Sequence, residues 1–380
     1  MSGVYLFAGG GTGGHIFPGL AIAEELRAKD PGARCVFLCS DRALDREILE
    51  REGADYCVIP AKPVGMRVRA LWRFVRSWGP AVRATRRIIS ELRAGGPGGA
   101  GVQMVAMGGF VAAPAAQGAR AEGVPVLLVN MDAVPGKANR WIARRASRVL
   151  TSCPAPGFAW EGVPPIVRRA ARAGGDPRAC RSALGLDPSR PTLLVTGASQ
   201  GARSINRLMI RLVEQNPGAL AAWQVIHQTG AGEDEPVRGA YGGAGVPALV
   251  RPFFDQMGRA WGAADLAVSR AGAGSVAEAW ANQVPTVFLP YPYHRDLHQR
   301  HNARPLEEAG GAVIAADEID ETRNAAGAGR VILELLASEG RRRAMRDALK
   351  RLGPADGAAR VAAALLTSRV TPPTGPARSS

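Results

Sequence analysis

In each half of this 380-residue chain the first apolar strand runs straight into a glycine-rich turn and on into a helix. Residues 4–8 lead into Gly9-Gly10-Gly11-Thr12-Gly13-Gly14-His15, and apolar positions recur at helical spacing from 18 to 28. Residues 192–196 lead into Gly197-Ala198-Ser199-Gln200-Gly201-Ala202-Arg203, with a helix from about 205. Strands that are apolar at every position are buried on both faces, the habit of parallel strands covered by helices. Glycine lets a backbone come close to a ligand, and the helix that follows offers unpartnered N–H groups to an anion. Such a chain is confined to α/β layers whose ligand crevice lies at the carboxyl ends of the strands. Neither turn reads as a P-loop or as a convincing dinucleotide fingerprint.

The other apolar runs fit the same alternation. Strands are expected at 36–39, 56–59, 104–107, 124–129 and 149–152, then at 223–227 and 249–252. The run at 104–107 enters Gly108-Gly109-Phe110, with a helix from about 112. Residues 266–268 enter a further turn at Gly272 and Gly274, followed by a helix near Ser275, a strand at 284–289 and a helix from about 297. Ser275 and Glu278 also have the spacing of a capping box, in which both would serve orphan helix donors and touch no ligand. On the residues alone both readings stay open. The organisation expected is an N-terminal domain over 1–162, a C-terminal domain over 163–352, a helix at 353–368 crossing back to the first domain, and a disordered tail at 369–380.

Charge and cysteine narrow the class. Lys and Arg number 48 against 33 Asp and Glu, a net +15 that suits phosphorylated ligands, anionic lipid or nucleic acid. The five cysteines are odd in number and lack metal-ligand spacing, which fits a reduced compartment. The first residues have no charged, apolar leader, and no apolar run reaches the ~18 residues that span a bilayer. From Tyr56 to Ser90 there is no acidic residue and there are eight basic ones. Within it Arg69, Leu71, Trp72, Phe74, Val75 and Trp78 make a basic amphipathic segment that fits a membrane surface. A core helix with a solvated arginine face fits the same spacing. Pro80 suits a helix break or a new start.

In combination these motifs resemble the MurG family of bacterial glycosyltransferases of peptidoglycan synthesis, from about residue 4 to 366. The matching segments are Gly10 to His15, Met107-Gly108-Gly109-Phe110, Gly197 to Arg203, Ser269 to Glu278, and His298-Gln299-x-x-Asn302-Ala303. The resemblance implies a GT-B fold, two doubly wound Rossmann-like domains facing across a cleft. It implies inverting transfer of N-acetylglucosamine from UDP-N-acetylglucosamine to an undecaprenyl-pyrophosphoryl lipid acceptor, by a peripheral protein on the cytoplasmic face of the membrane. By position, Phe254, Gly274, Ser275 and Glu278 would hold uracil and ribose, and Arg168 and Ser199 would face the phosphates. Thr12, Gly13, Gly14, Gln299 and Asn302 would surround the sugar. His15 would be the base, and Gly13, Gly14, Gly108, Gly109 and Phe110 would line the acceptor's pyrophosphate.

Three segments depart from the family pattern, one of them an enlarged loop at 95–101. Where it has His-Glu-Gln-Asn this chain has Val129-Asn130-Met131-Asp132, and Gly162 to Arg168 is longer and lacks an asparagine. Asp132 is therefore expected near the sugar, sharing the base role with His15. No two aspartates stand two apart, so no Asp-x-Asp metal site, no metal and no cofactor is expected. The alternatives are a UDP-sugar transferase with another lipid acceptor, and a non-catalytic basic protein binding lipid or nucleic acid. The glycine motifs in family order favour a transferase that takes no nucleic acid.

Overall fold

The structure, a computed structural model, describes residues 3–11, 13–65, 67–94, 101–198 and 201–368. The tail expected at 369–380 and most of the loop at 95–101 lie outside the described residues. The first domain alternates β1 (Val4–Gly9), α1 (Gly13–Lys29), β2 (Arg34–Cys39), α2 (Ala43–Arg51), β3 (Asp55–Val58) and α3 (Val68–Ala94). It continues with β4 (Val102–Gly108), α4 (Gly109–Ala121), β5 (Val126–Asn130), α5 (Lys137–Ala143), β6 (Arg148–Thr151) and the short β7 (Glu161–Gly162). Its sheet runs β3-β2-β1-β4-β5-β6-β7, all parallel.

The second domain opens with α6 (Pro177–Ala183), capped by the Asp176 carboxylate. It then builds β8 (Thr192–Thr196), α7 (Arg203–Gln215), β9 (Gln224–Gln228), α8 (Asp234–Gly243), β10 (Ala248–Arg251) and α9 (Met257–Ala263). Next come β11 (Leu266–Ser269), α10 (Ala273–Asn282), β12 (Thr286–Phe288), α11 (His298–Glu308), β13 (Ala312–Ile314), α12 (Glu321–Asn324), α13 (Arg330–Ala337) and α14 (Glu339–Arg351). The sheet order is β10-β9-β8-β11-β12-β13, again all parallel. The last helix, α15 (Gly357–Thr367), packs on α1, so Val361, Ala362 and Leu365 belong to the first domain's core.

Strand alternation sorts the side chains between layers. Tyr5 and Phe7 of β1 join the core under α1 and α15, while Val4, Leu6 and Ala8 join the core under α3 and α4. In β8, Leu193 and Val195 go to one face and Leu194 to the other. Burial on both faces explains why these strands carry no polar alternation. In each sheet the order reverses beside its first strand, between β1 and β4 and between β8 and β11. At such a switch point the loops diverge and leave a crevice, and all four glycine turns follow these four strands.

Two local expectations fail. Pro80 neither breaks nor starts a helix, because α3 runs through it from 68 to 94. The capping box is not formed either. Gly272 stands at the N-cap of α10 without a side-chain bond, which puts Ser275 and Glu278 inside the helix. The helix begins at Ala273, two residues earlier than Ser275. Among the described residues no helix is long and apolar enough to cross a membrane.

Candidate active site

In the first domain two glycine turns meet around one histidine. Gly11 (φ +94°), Gly108 (φ +99°) and Gly109 (φ +75°) occupy backbone conformations that favour glycine. A Cβ on Gly109 would lie 2.8 Å from the Gly10 carbonyl and 3.0 Å from His15 Cδ2, so the turns touch only because residue 109 lacks a side chain. His15 sits in the first turn of α1, largely enclosed, with a buried Nδ1 that has no hydrogen-bond partner. Burial lowers its pKa, opposed by the charge of Asp132, a backbone contact with Met107 and the charge of Asp45. A ring kept neutral by desolvation can accept a proton. Thr12 lies outside the described residues.

In the second domain the turn after β8 is tight. A Cβ on Gly197 would fall 2.1 Å from the Ala202 nitrogen, and one on Gly201 2.1 Å from the Thr229 carbonyl. Ser199 lies outside the described residues. The turn after β11 is open, since a Cβ on Gly272 or Gly274 would meet nothing within 4 Å. Its base is a buried polar knot that the sequence reading missed. Arg270 Nη1 donates to Asp317 Oδ2 (2.5 Å) and the Leu289 carbonyl (2.9 Å), and Nη2 donates to Ser204 Oγ (2.8 Å). Asp317 also accepts from Ser204 and Asn324, so the buried charges are paired and tie α7 to the β11 turn.

Glu278 is one turn into α10, behind Gly274 and the buried Ser275. Its Oε2 accepts from Trp261 Nε1 at 2.8 Å. Burial pushes its pKa up to about 7, against the lowering effect of the Trp261 bond. The Trp261 bond uses one acceptor position of the carboxyl group, which has others to offer. Phe254 is buried in the core beside Trp261, and its N–H donates to Gln228 Oε1 (3.0 Å). Both its ring and its N–H are therefore engaged within the second domain.

The halves join across the crevice at Asp132 and Asn302. Asn302, buried near the start of α11, accepts from the Ala133 N–H (2.8 Å) and donates from Nδ2 to Asp132 Oδ1 (3.0 Å). No hydrogen bond links Asp132 to His15 among the described residues, so Asp132 acts on the histidine through its charge. Gln299 accepts from the Tyr291 N–H (2.9 Å), which shapes the loop before α11. Arg168 is engaged elsewhere. Its guanidinium binds Glu24 (3.2 Å) and Glu52 (2.7 Å) and lies over the Phe17 ring, so it is not free for a phosphate in this state. A sequence shows the arginine of a motif but not the carboxylates that claim it.

Beside the crevice the domains also line an open cavity of about 690 Å³. It is walled by Met131, Trp160, Val163, Trp280 and Leu352, a mostly apolar lining unsuited to phosphates.

The basic segment is half exposed and half packed. Val68 (82%), Leu71 (51%), Trp72 (61%) and Val75 (61%) form an exposed stripe at helical spacing on the first turns of α3. Arg69 and Arg73 are exposed around it, and Arg76 stacks on Trp72 at 4.4 Å. Phe74 and Trp78 turn inward. Trp78 packs edge-on against Phe74 and Trp141 and donates to Gln117 Oε1 (2.7 Å). The helix buries its later face through Ala81, Thr85, Ile88, Ile89 and Leu92.

Paired parallel sheets, with glycine turns at both switch points and Glu278 behind an open helix N-terminus, have the architecture of the GT-B glycosyltransferases. The comparisons agree. Residues 5–151 match the glycosyltransferase family 28 N-terminal domain, and residues 192–361 match the family 28 C-terminal domain. A UDP-N-acetylglucosamine–N-acetylmuramyl-(pentapeptide) pyrophosphoryl-undecaprenol N-acetylglucosamine transferase of Clavibacter sepedonicus is 38% identical, over 98% of this chain and 99% of its own. A protein of the same name from Chlorobaculum tepidum is 34% identical over 94% and 97%. The crystal structure of MurG from Acinetobacter baumannii superposes with a TM-score of 0.71 at 23% identity, covering 97% of this chain and all of that one. The chain belongs to glycosyltransferase family 28 and, within it, to the MurG family of N-acetylglucosamine transferases.

Proposed function

We propose that this chain moves N-acetylglucosamine from UDP-N-acetylglucosamine to the 4-hydroxyl of undecaprenyl-pyrophosphoryl-muramyl-pentapeptide, with inversion at the anomeric carbon. The observation that carries it is the facing, across one crevice, of a largely enclosed His15, its pKa lowered by burial, and a second half that presents Glu278 and two helix N-termini. Glu278 accepts the ribose hydroxyls, with Gly274, Ser275 and Phe254 beside the nucleoside. The first turns of α7 and α10, together with Ser199, stabilise the departing diphosphate. Thr12, Gly13, Gly14, Gln299 and Asn302 surround the sugar. Gly108, Gly109 and Phe110 face the acceptor's pyrophosphate.

His15 takes the proton of the attacking hydroxyl, and Asp132, 3.0 Å from Asn302, supports its basicity by charge. Arg168 reaches a phosphate only after its pairs with Glu24 and Glu52 open. The exposed stripe of α3 and its arginines rest on the anionic cytoplasmic face of the membrane, where the protein is peripheral. Purified protein incubated with labelled UDP-N-acetylglucosamine and a short-chain prenyl analogue of the acceptor should give a labelled lipid-linked disaccharide. Transfer only to another lipid, such as diacylglycerol, would favour the second reading, which the substitution of Asp132 within residues 129–132 supports.

A further inference from the structure

We propose that Asp45 and Arg42, outside every glycine motif, position the first glycine turn and with it Phe110 and His15 for the acceptor. Asp45 is fully buried on the first turn of α2. Both of its oxygens accept from the Gly11 N–H, at 3.0 Å and 2.9 Å. Oδ2 also accepts from the Ser40 hydroxyl (2.6 Å) and the Ser40 N–H (3.3 Å). Arg42 takes the other side of the same residue, donating from Nη1 to the Gly11 carbonyl at 2.8 Å. Its guanidinium lies over the Phe110 ring, 5.2 Å from the centroid. The peptide units on either side of Gly11 are therefore clamped by one carboxylate and one guanidinium.

The clamp holds a turn that only glycine can make. Gly11 has φ +94°, and a Cβ there would fall 2.6 Å from Phe110 Cε1. A Cβ on Gly10 would fall 2.7 Å from Asp45 Oδ2. A buried carboxylate is also an unusual neighbour for an anion site, because it repels the ligand it helps to place. Its acceptor positions are used by Gly11 and Ser40, and its remaining influence is the charge it presents to His15. The charged and titratable groups facing that histidine are Asp132 after β5 and Asp45 on α2. Cys39 of β2 lies beside Asp45 with its thiol pushed up to about 12, and stays neutral. Arg46 on α2 faces that thiol. Asp45 is thus a positioning residue that fixes a backbone and tunes a base from the same place.

This inference rests on the reading that Gly13, Gly14, Gly108, Gly109 and Phe110 receive the acceptor's pyrophosphate. The test compares Asp45→Asn, Arg42→Ala and Gly109→Ala, using UDP-N-acetylglucosamine and the short-chain acceptor analogue. Asp45→Asn should raise the acceptor KM roughly tenfold, the size of a lost charge-assisted bond. It should also move the acid limb of the kcat/KM profile to lower pH, with donor affinity unchanged. Arg42→Ala changes an exposed side chain, which keeps the test open if Asp45→Asn fails to fold. It should raise the acceptor KM without moving the acid limb. Gly109→Ala tests the underlying reading: an unchanged acceptor KM there overturns the assignment of the turn itself. A raised acceptor KM in Gly109→Ala with none in Arg42→Ala or Asp45→Asn overturns the clamp alone. A loss of donor affinity equal to that of acceptor in the Asp45 variant also overturns it.

Discussion

Donor binding should depend on pH through Glu278, and the size of the effect follows from its surroundings. Desolvation pushes this carboxyl up to about 7 from an ordinary 4.5. Between those values the empty folded protein holds a proton that the unfolded chain has released. Its stability therefore falls as pH rises from about 4.5 to about 7 and is level above, by on the order of 3 kcal/mol at about 1.4 kcal/mol per pKa unit. Two ribose hydroxyls donating to the ionised form reverse that preference. Binding then selects the carboxylate, and donor affinity weakens about tenfold from pH 8 to pH 6. Calorimetric titration with UDP-N-acetylglucosamine, run in buffers of different ionisation enthalpy, reads both the affinity and the proton released near pH 7. In Glu278→Gln the affinity should be low and flat with pH. Equal affinity at pH 6 and 8 in the unaltered protein, with no proton release, refutes the reasoning and returns Glu278 to a structural role beside Trp261.

Asp132→Asn removes the charge that most opposes the lowered pKa of His15, so the acid limb of turnover should move to lower pH, with kcat reduced more than tenfold. An unmoved limb would show the carboxylate to be passive. Replacing Leu71, Trp72 and Val75 with Ser should abolish sedimentation with anionic vesicles and leave UDP binding intact. Removing Phe74 or Trp78 should instead lower stability, because those rings pack inward. Glu52→Ala should destabilise the fold by about 2 kcal/mol in urea at pH 7, by leaving Arg168 with the longer Glu24 pair alone. The Arg168 bond holds the Glu52 carboxyl below its ordinary value. That stabilisation is therefore present above pH 4.5 and fades as pH falls through the folded value, and the variant should converge on the parent in acid.

The layered fold was legible because buried parallel strands write themselves as apolar runs, and glycines must stand where a turn lets two backbones meet. Gly109 against Gly10 is such a place. What stayed hidden depends on partners distant in the chain. Ser275 and Glu278 have capping spacing, yet Gly272 takes the cap and Trp261, from another helix, takes the carboxylate. Arg168 has the look of a phosphate ligand, and only the fold brings Glu24 and Glu52 to it. Asp45 carries no motif at all, since a buried acceptor for backbone N–H groups leaves no periodic trace. Pro80 misled because its helix tolerates a missing N–H within α3.

The position of α15 sets an order of events during synthesis. The first domain closes its core with Val361, Ala362 and Leu365, and Gln103 at the foot of β4 donates to the Leu365 carbonyl at 3.2 Å. A ribosome that has finished β6 must still add about two hundred residues before these side chains emerge, roughly 10–40 s at usual elongation rates. Through that interval the apolar flank of α1 has no permanent cover. The domain made first is thus the domain finished last, and the nascent chain carries an open hydrophobic face while its second half is being made.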